Sequence, residues 1–180
     1  MGNQSFKWGK ETFEILSVTD AETTCIVAFQ PGSAVPTHIH SISDEYFEMQ
    51  KGQLSVIVDG KKIELKEGEK ITVKRKTPHS IKNNSNDIIS FKVSYSPPSD
   101  SGKFLEIGAF LSSLNPNDKN LMMKQLYISK KMGYRNFSDM PNKALDIMAN
   151  ATLSVVYFFG SLSGWGKLAN QYKSHIMNCK

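Results

Sequence analysis

Four residues of this 180-residue chain carry metal-ligand chemistry at close spacing: His38, His40, Glu45 and His79. One residue separates His38 from His40. On an extended strand, residues two apart point to the same side, so both imidazoles can reach one point inside a barrel. Glu45 follows shortly after and would share a strand face with Phe47 and Met49. His79 comes after a hairpin and a further strand, which can return it to the same place. Three imidazoles and one carboxylate make a mixed nitrogen and oxygen donor set. Such a set suits Fe, Mn, Zn, Ni or Cu as the divalent ion better than Ca or Mg. Any one of these histidines, taken singly, reads better as a polar residue at a strand end.

The elements that must position them are strands. Segments 12–18, 23–29, 45–50, 53–58, 61–65, 70–73, 79–82 and 88–95 are short and rich in β-branched or aromatic residues. Turn signals separate them: Pro31-Gly32, Lys51-Gly52, Asp59-Gly60, Glu67-Gly68 and Asn83-Asn84. Asp59-Gly60 between two strand-like runs marks a hairpin. In the last segment Ile89, Phe91, Val93 and Tyr95 alternate with Ser90, Lys92 and Ser94, so one face is buried and one is wet. About eight strands at this spacing predict a closed barrel or a two-sheet jelly roll. Pro97-Pro98-Ser99-Asp100 ends the pattern, and helical periods follow over 102–113, 118–132, from Pro141 towards Phe159 and over 167–176. Gly133 is a natural stop for the second of these, and Gly160, Gly164 and Gly166 interrupt the third.

On these residues the sequence resembles the cupin superfamily. The first motif of that family runs Gly, five residues, His, one, His, three or four, Glu, six, Gly. Gly32, His38, His40, Glu45 and Gly52 meet every spacing. The second runs Gly, five, Pro, one, Gly, two, His, three, Asn. Gly68, His79 and Asn83 keep the spacing, while Lys74 and Lys76 stand at the Pro and Gly positions. The resemblance covers roughly residues 10–97. It implies a mainly β fold: a cupin-type double-stranded β-helix (jelly-roll barrel) over 1–97, then an α-helical C-terminal extension over 98–180. It implies that His38, His40, Glu45 and His79 bind a divalent transition metal, and that the protein is a homodimer.

Phe47, Met49, Ile81 and Phe91 are expected inside the barrel, lining a substrate pocket where they approach the metal. Asp44 is an alternative ligand in type, but alternation turns it to the opposite face. Tyr95, Lys92 and Lys74 can act as acid or base, yet nothing in the sequence orients them, and a solvated role is expected. No dedicated base can be named, so no catalytic residue is assigned. Two functions are expected. One is a metal-dependent small-molecule enzyme of oxygenase type, and the other is a small-ligand sensor or binding module whose tail engages a membrane or a partner.

Charge divides at the same boundary. Residues 1–100 hold 12 Lys/Arg against 13 Asp/Glu, and residues 101–180 hold 10 against 4. The formal net charge of +5 therefore belongs to the tail, which argues against nucleic acid as a partner. Residues 147–166 form a run of 20 without a charge, in which 12 residues are apolar. The run can pack onto the barrel or across a dimer interface. It can also lie on an anionic membrane surface beside Lys167, Lys173 and Lys180, or span a bilayer. Two distant cysteines, Cys25 and Cys179, form no framework and suit a reducing, cytoplasmic setting, with membrane association as an alternative. The polar start lacks a signal-peptide core, and Phe6 fills the position that myristoylation requires to be Ser or Thr.

Overall fold

The computed structural model describes residues 4–98, 100–134, 139 and 142–178. Ten strands come first: β1 (Gln4–Trp8), β2 (Glu11–Val18), β3 (Thr23–Phe29), β4 (Ala34–His38), β5 (Asp44–Lys51), β6 (Gln53–Val58), β7 (Lys61–Lys66), β8 (Lys70–Val73), β9 (His79–Lys82) and β10 (Ile89–Ser96). They form a six-stranded sheet, ordered β1-β2-β3-β10-β5-β8, facing a four-stranded sheet, ordered β4-β9-β6-β7. Every strand pairing is antiparallel. The eight strands expected from the sequence are all present as β2, β3 and β5 to β10.

The two additional strands have physical reasons for escaping notice. β1 is short and half polar, and it exists because the Gly9 turn, at φ +64°, folds it back onto β2. β4 contains Pro36, which cannot donate to a ladder, and it survives as one of the two edge strands of its sheet.

Period-two burial builds the interior. Along β5, Glu45, Phe47 and Met49 point inward, while along β10 Phe91 and Val93 do the same. Phe91 packs edge-on to Phe29 at a centroid distance of 5.1 Å. Each fully buried aromatic of this kind contributes about 1.5–3 kcal/mol from water exclusion.

Four helices follow: α1 (Ser101–Leu114), α2 (Leu121–Met132), α3 (Lys143–Leu162) and α4 (Gly166–Asn178). Gly133, at φ +81°, closes α2 in the left-handed conformation, as its sequence position predicts. The buried side of α2 carries Leu121, Tyr127 and Ile128, while Met122 is exposed, and Gln125 is fully buried with its amide donating to the Phe104 carbonyl at 2.7 Å. Two lysines of this helix have partners. Lys124 pairs with Asp118, and Lys130 donates to Ser154 and lies over the Tyr157 ring. Gly160 does not interrupt α3. It sits inside the helix because a Cβ there would meet the Tyr127 ring at 2.5 Å. The expected start at Pro141, together with Cys179 and Lys180, lies outside the described residues.

A single hydrophobic cluster runs from the barrel into the helices. α1 makes the connection: Phe104 packs edge-on to Trp8 at 5.7 Å, and Gly108 lies flat against Phe6. α3, in contrast, packs on α2 through Val156, Tyr157 and Gly160, and leaves Met148, Val155, Phe158, Phe159 and Leu162 exposed.

The contact at Gly108 has a measurable consequence. A Cβ there would meet Phe6 at 2.6 Å and the Gln125 amide at 3.0 Å. Gly108→Ala should therefore destabilise the protein by about 1–3 kcal/mol through overpacking, even though Ala favours an exposed helix by about 1 kcal/mol. Urea unfolding checks this, and a stabilised variant would show that α1 does not seat on β1.

Candidate metal centre

β4 delivers His38 at its last residue, where it pairs in register with His79, the first residue of β9. His40 follows two residues later, outside regular strand. Its carbonyl accepts from the Lys76 backbone N–H at 2.8 Å. Lys76 adopts φ +65°, the left-handed conformation that glycine enters without cost. Lys76 thus takes the conformation of the Gly it replaces in the motif. Glu45 projects inward from β5, whose neighbours are β8 and β10. Asn83 holds the turn after β9, donating to the carbonyls of Phe29, Gln30 and Asp87.

The four expected ligands converge. One donor atom from each of His38, His40, Glu45 and His79 lies within 4.8 Å of the others, and all four residues are buried. His38 Nε2 is 3.2 Å from His40 Nε2, and His79 Nε2 is 2.7 Å from Glu45 Oε2. His40 Nε2 is 3.4 Å from the same carboxylate oxygen.

Hydrogen bonding at the far side of two rings sets their tautomers. His38 Nδ1 lies 2.9 Å from the Pro36 carbonyl, and His79 Nδ1 lies 2.9 Å from the Thr77 carbonyl. A carbonyl only accepts, so each Nδ1 carries a proton and donates it. In the neutral ring, each Nε2 then turns a lone pair into the cluster. For His79 that lone pair faces a carboxylate oxygen, an approach that requires a cation between or upon the two groups.

Metal-free, that cation is a proton. Burial alone would lower the His79 pKa, but its hydrogen bond and charge contact with Glu45 raise it above the ordinary value. Burial alone would raise Glu45, but His40 and His79 hold it well below the usual carboxylate range. For His38 burial outweighs the opposing pull of the Glu45 charge and takes its pKa down to about 4. The donor set also fits a metal ion. Three imidazole nitrogens and one carboxylate oxygen lie within 4.8 Å of one another, and two of the rings are preset by carbonyls.

Other expected residues separate clearly. Asp44 faces outward, as alternation requires, and pairs with Lys74 at 2.9 Å and with the Arg75 side chain and backbone. Phe47, Met49, Ile81 and Phe91 are all buried in the core cluster. Tyr95 is not solvated. It lies on the inner face of β10, in register with Glu45, with its ring edge-on to His40 at 5.3 Å. Burial and the Glu45 charge raise its pKa well above the usual value, so it keeps its proton beside the cluster. The alternation of Ile89, Phe91, Val93 and Tyr95 already contained this signal. Cys25 faces the same interior from β3, and burial pushes its thiol up to about 12, which leaves it protonated. Asp139, unmarked by any motif, reaches Ile39 between the two histidines.

Residues 25–95 match the family model of the cupin domain. The two antiparallel sheets and the four inward ligand-type residues accord with that match, which covers the barrel and not the helical extension. Among solved structures it is similar to the cupin domain of Cnp3 from Schizosaccharomyces pombe, at 18% identity over 49% of this chain and 66% of that one, with a TM-score of 0.47. This chain therefore spans just under two thirds of that structure. An RmlC-like cupin from Shewanella frigidimarina matches at 18% identity over 53% of this chain and 85% of its own, with a TM-score of 0.49. TT1209 from Thermus thermophilus matches at 22% identity over 52% and 89%, also with a TM-score of 0.49. No curated protein sequence matches the chain.

The depressed His38 pKa defines a pH profile for the metal-free protein. The unfolded side chain titrates near 6.5 and the folded one near 4. Between these values the unfolded chain binds a proton that the folded one refuses, so stability falls as pH drops, by about 3 kcal/mol across the window. Urea midpoints of metal-free protein across this range check it. His38→Gln should flatten the profile, and an equally steep variant would show that His38 is not the group responsible.

Proposed function

We propose that the barrel holds one divalent transition metal on His38, His40, Glu45 and His79 and acts as a metal-dependent small-molecule enzyme of oxygenase type. The convergence of four buried donor atoms within 4.8 Å carries this reading. A bound Fe, Mn, Zn, Ni or Cu ion supplies Lewis acidity or redox chemistry at its remaining coordination positions. The chain's own residues bind, orient and insulate. Carbonyls 36 and 77 hold two imidazoles in the ligating tautomer. Tyr95 keeps a proton next to Glu45 and can donate it to a bound group. Phe47, Met49, Ile81 and Phe91 exclude water from the deep side of the cluster, which is the part of the expected pocket role that their burial supports. The substrate is a small molecule reaching the cluster from the barrel mouth.

Elemental analysis of untagged protein purified without chelator tests this reading. Close to one transition-metal ion per chain is expected. His38→Ala and His79→Ala should each lose the metal while keeping the β-rich circular dichroism spectrum. Metal-free wild-type protein with unchanged folding would refute the proposal.

A second reading, in which the barrel is a ligand sensor tethered through its tail, draws on α3. This helix is 20 residues long with a mean hydropathy of 1.4, long and apolar enough to cross a membrane, and only 11% of its most apolar window is buried. Met148, Ala151, Val155, Phe158 and Leu162 recur at alternating steps of three and four along its exposed side. The positive excess of the extension favours an anionic lipid surface as the contact. Co-sedimentation with anionic vesicles, reduced by the double change of Phe158→Ser and Phe159→Ser, is the expected result. Absence of binding to both anionic and neutral vesicles removes the membrane contact and leaves a second copy of the chain as the candidate for this face.

A further inference from the structure

The three imidazoles of the cluster are not held alike. His38 and His79 each donate Nδ1–H to the carbonyl two residues earlier, so local backbone orients both rings. His40 has no such bond among the described residues, where its Nδ1 is buried without a partner. It also lies beyond the end of β4, where pairing with β9 has stopped. Its position must therefore come from the backbone on either side of it.

Asp139 supplies that restraint from the C-terminal extension. Its backbone exchanges two hydrogen bonds with Ile39, the residue between His38 and His40. Ile39 N–H donates to the Asp139 carbonyl at 2.9 Å, and Asp139 N–H donates to the Ile39 carbonyl at 2.7 Å. The Asp139 carboxylate accepts from the hydroxyl of Ser41, the residue after His40. One residue of the extension thus grips the chain on both sides of His40, while Lys76 N–H holds the His40 carbonyl from the barrel side. The free edge of β4 past His38 is covered by this bridge, which gives its exposed backbone groups their partners. The Asp139 carboxyl lies close enough to His40 for their charges to interact.

We propose that Asp139 is a positioning residue for the metal centre, fixing His40 through a two-sided clamp on Ile39 and Ser41. This rests on the metal reading above. It makes the helical extension part of the ligand cage, although every ligand lies in the barrel. Outer partners that orient a metal ligand typically control affinity by about 10–100-fold.

The test uses the full chain and Zn(II) alone, with affinity measured by competition against a chelating dye and geometry read from the Co(II) absorption spectrum. Asp139→Pro removes the N–H that bonds Ile39 and should weaken Zn(II) binding about 10-fold or more, with a changed Co(II) spectrum. Asp139→Asn keeps the backbone pair and an acceptor for Ser41, so it should restore near wild-type affinity and spectrum. Ser41→Ala, a mild change that should leave folding intact, should weaken binding about threefold, a fraction of the range such partners control. If Asp139→Pro fails to fold, Ser41→Ala decides alone. Wild-type protein with tight uptake and variants equal to it in affinity and spectrum overturns the clamp alone. Wild-type protein that takes up no Zn(II) overturns the metal reading and the clamp with it.

Discussion

A buried carboxylate facing an imidazole lone pair is the constraint on which the rest of this structure depends. Glu45 lies 2.7 Å from His79 Nε2, and a backbone carbonyl commits the opposite ring nitrogen of His79 to donating. Taking such groups out of water is costly unless a cation joins them. The barrel is organised to bear that cost. Phe47, Met49 and Phe91 close the space beneath, and backbone from two sheets presents the ligands. Glu45 remains ionised although it is buried, because two imidazoles face it.

The same constraint explains how the chain around the cluster is built. Lys76 accepts a left-handed backbone conformation that glycine would enter freely, and in return its N–H holds the carbonyl of His40. Lys74 and Arg75 spend their charge outside the barrel on Asp44. Neither motif substitution reaches the ligand atoms. Both shape the turn that delivers His79, and the cluster keeps its donor set despite them.

The helical extension is bound to the barrel more closely than its composition suggests. α1 seats Phe104 and Gly108 on β1, and one hydrophobic cluster continues through both parts. The exposed apolar side of α3 belongs to the same extension. Asp139 lies between α2 and α3, so the segment leading to the exposed helix also touches the residue between two ligands. The His/Glu cluster and an exposed apolar surface are thereby joined through a short stretch of chain.

Much of this was legible in one dimension. Strand periodicity and turn residues located eight strands, because an inward and outward alternation leaves a direct trace in residue type. The ligand set was legible because metal chemistry restricts residue types and because two strand ends hold them at short, regular spacing. β1 and β4 left no such trace, since one depends on a glycine turn and the other carries a proline at a sheet edge. Tyr95 had the right alternation, but only the register of β10 against β5 sets it beside Glu45. The sequence by itself thus determined the barrel, its four inward ligand-type residues and the uneven charge, all properties of local pattern. Only the tertiary structure decided which ring nitrogens carry protons, that α3 packs on α2 with one side bare, and that Asp139 reaches Ile39 across a separation of 100 residues. Those outcomes come from backbone hydrogen bonds and packing between distant segments, which residue type does not record.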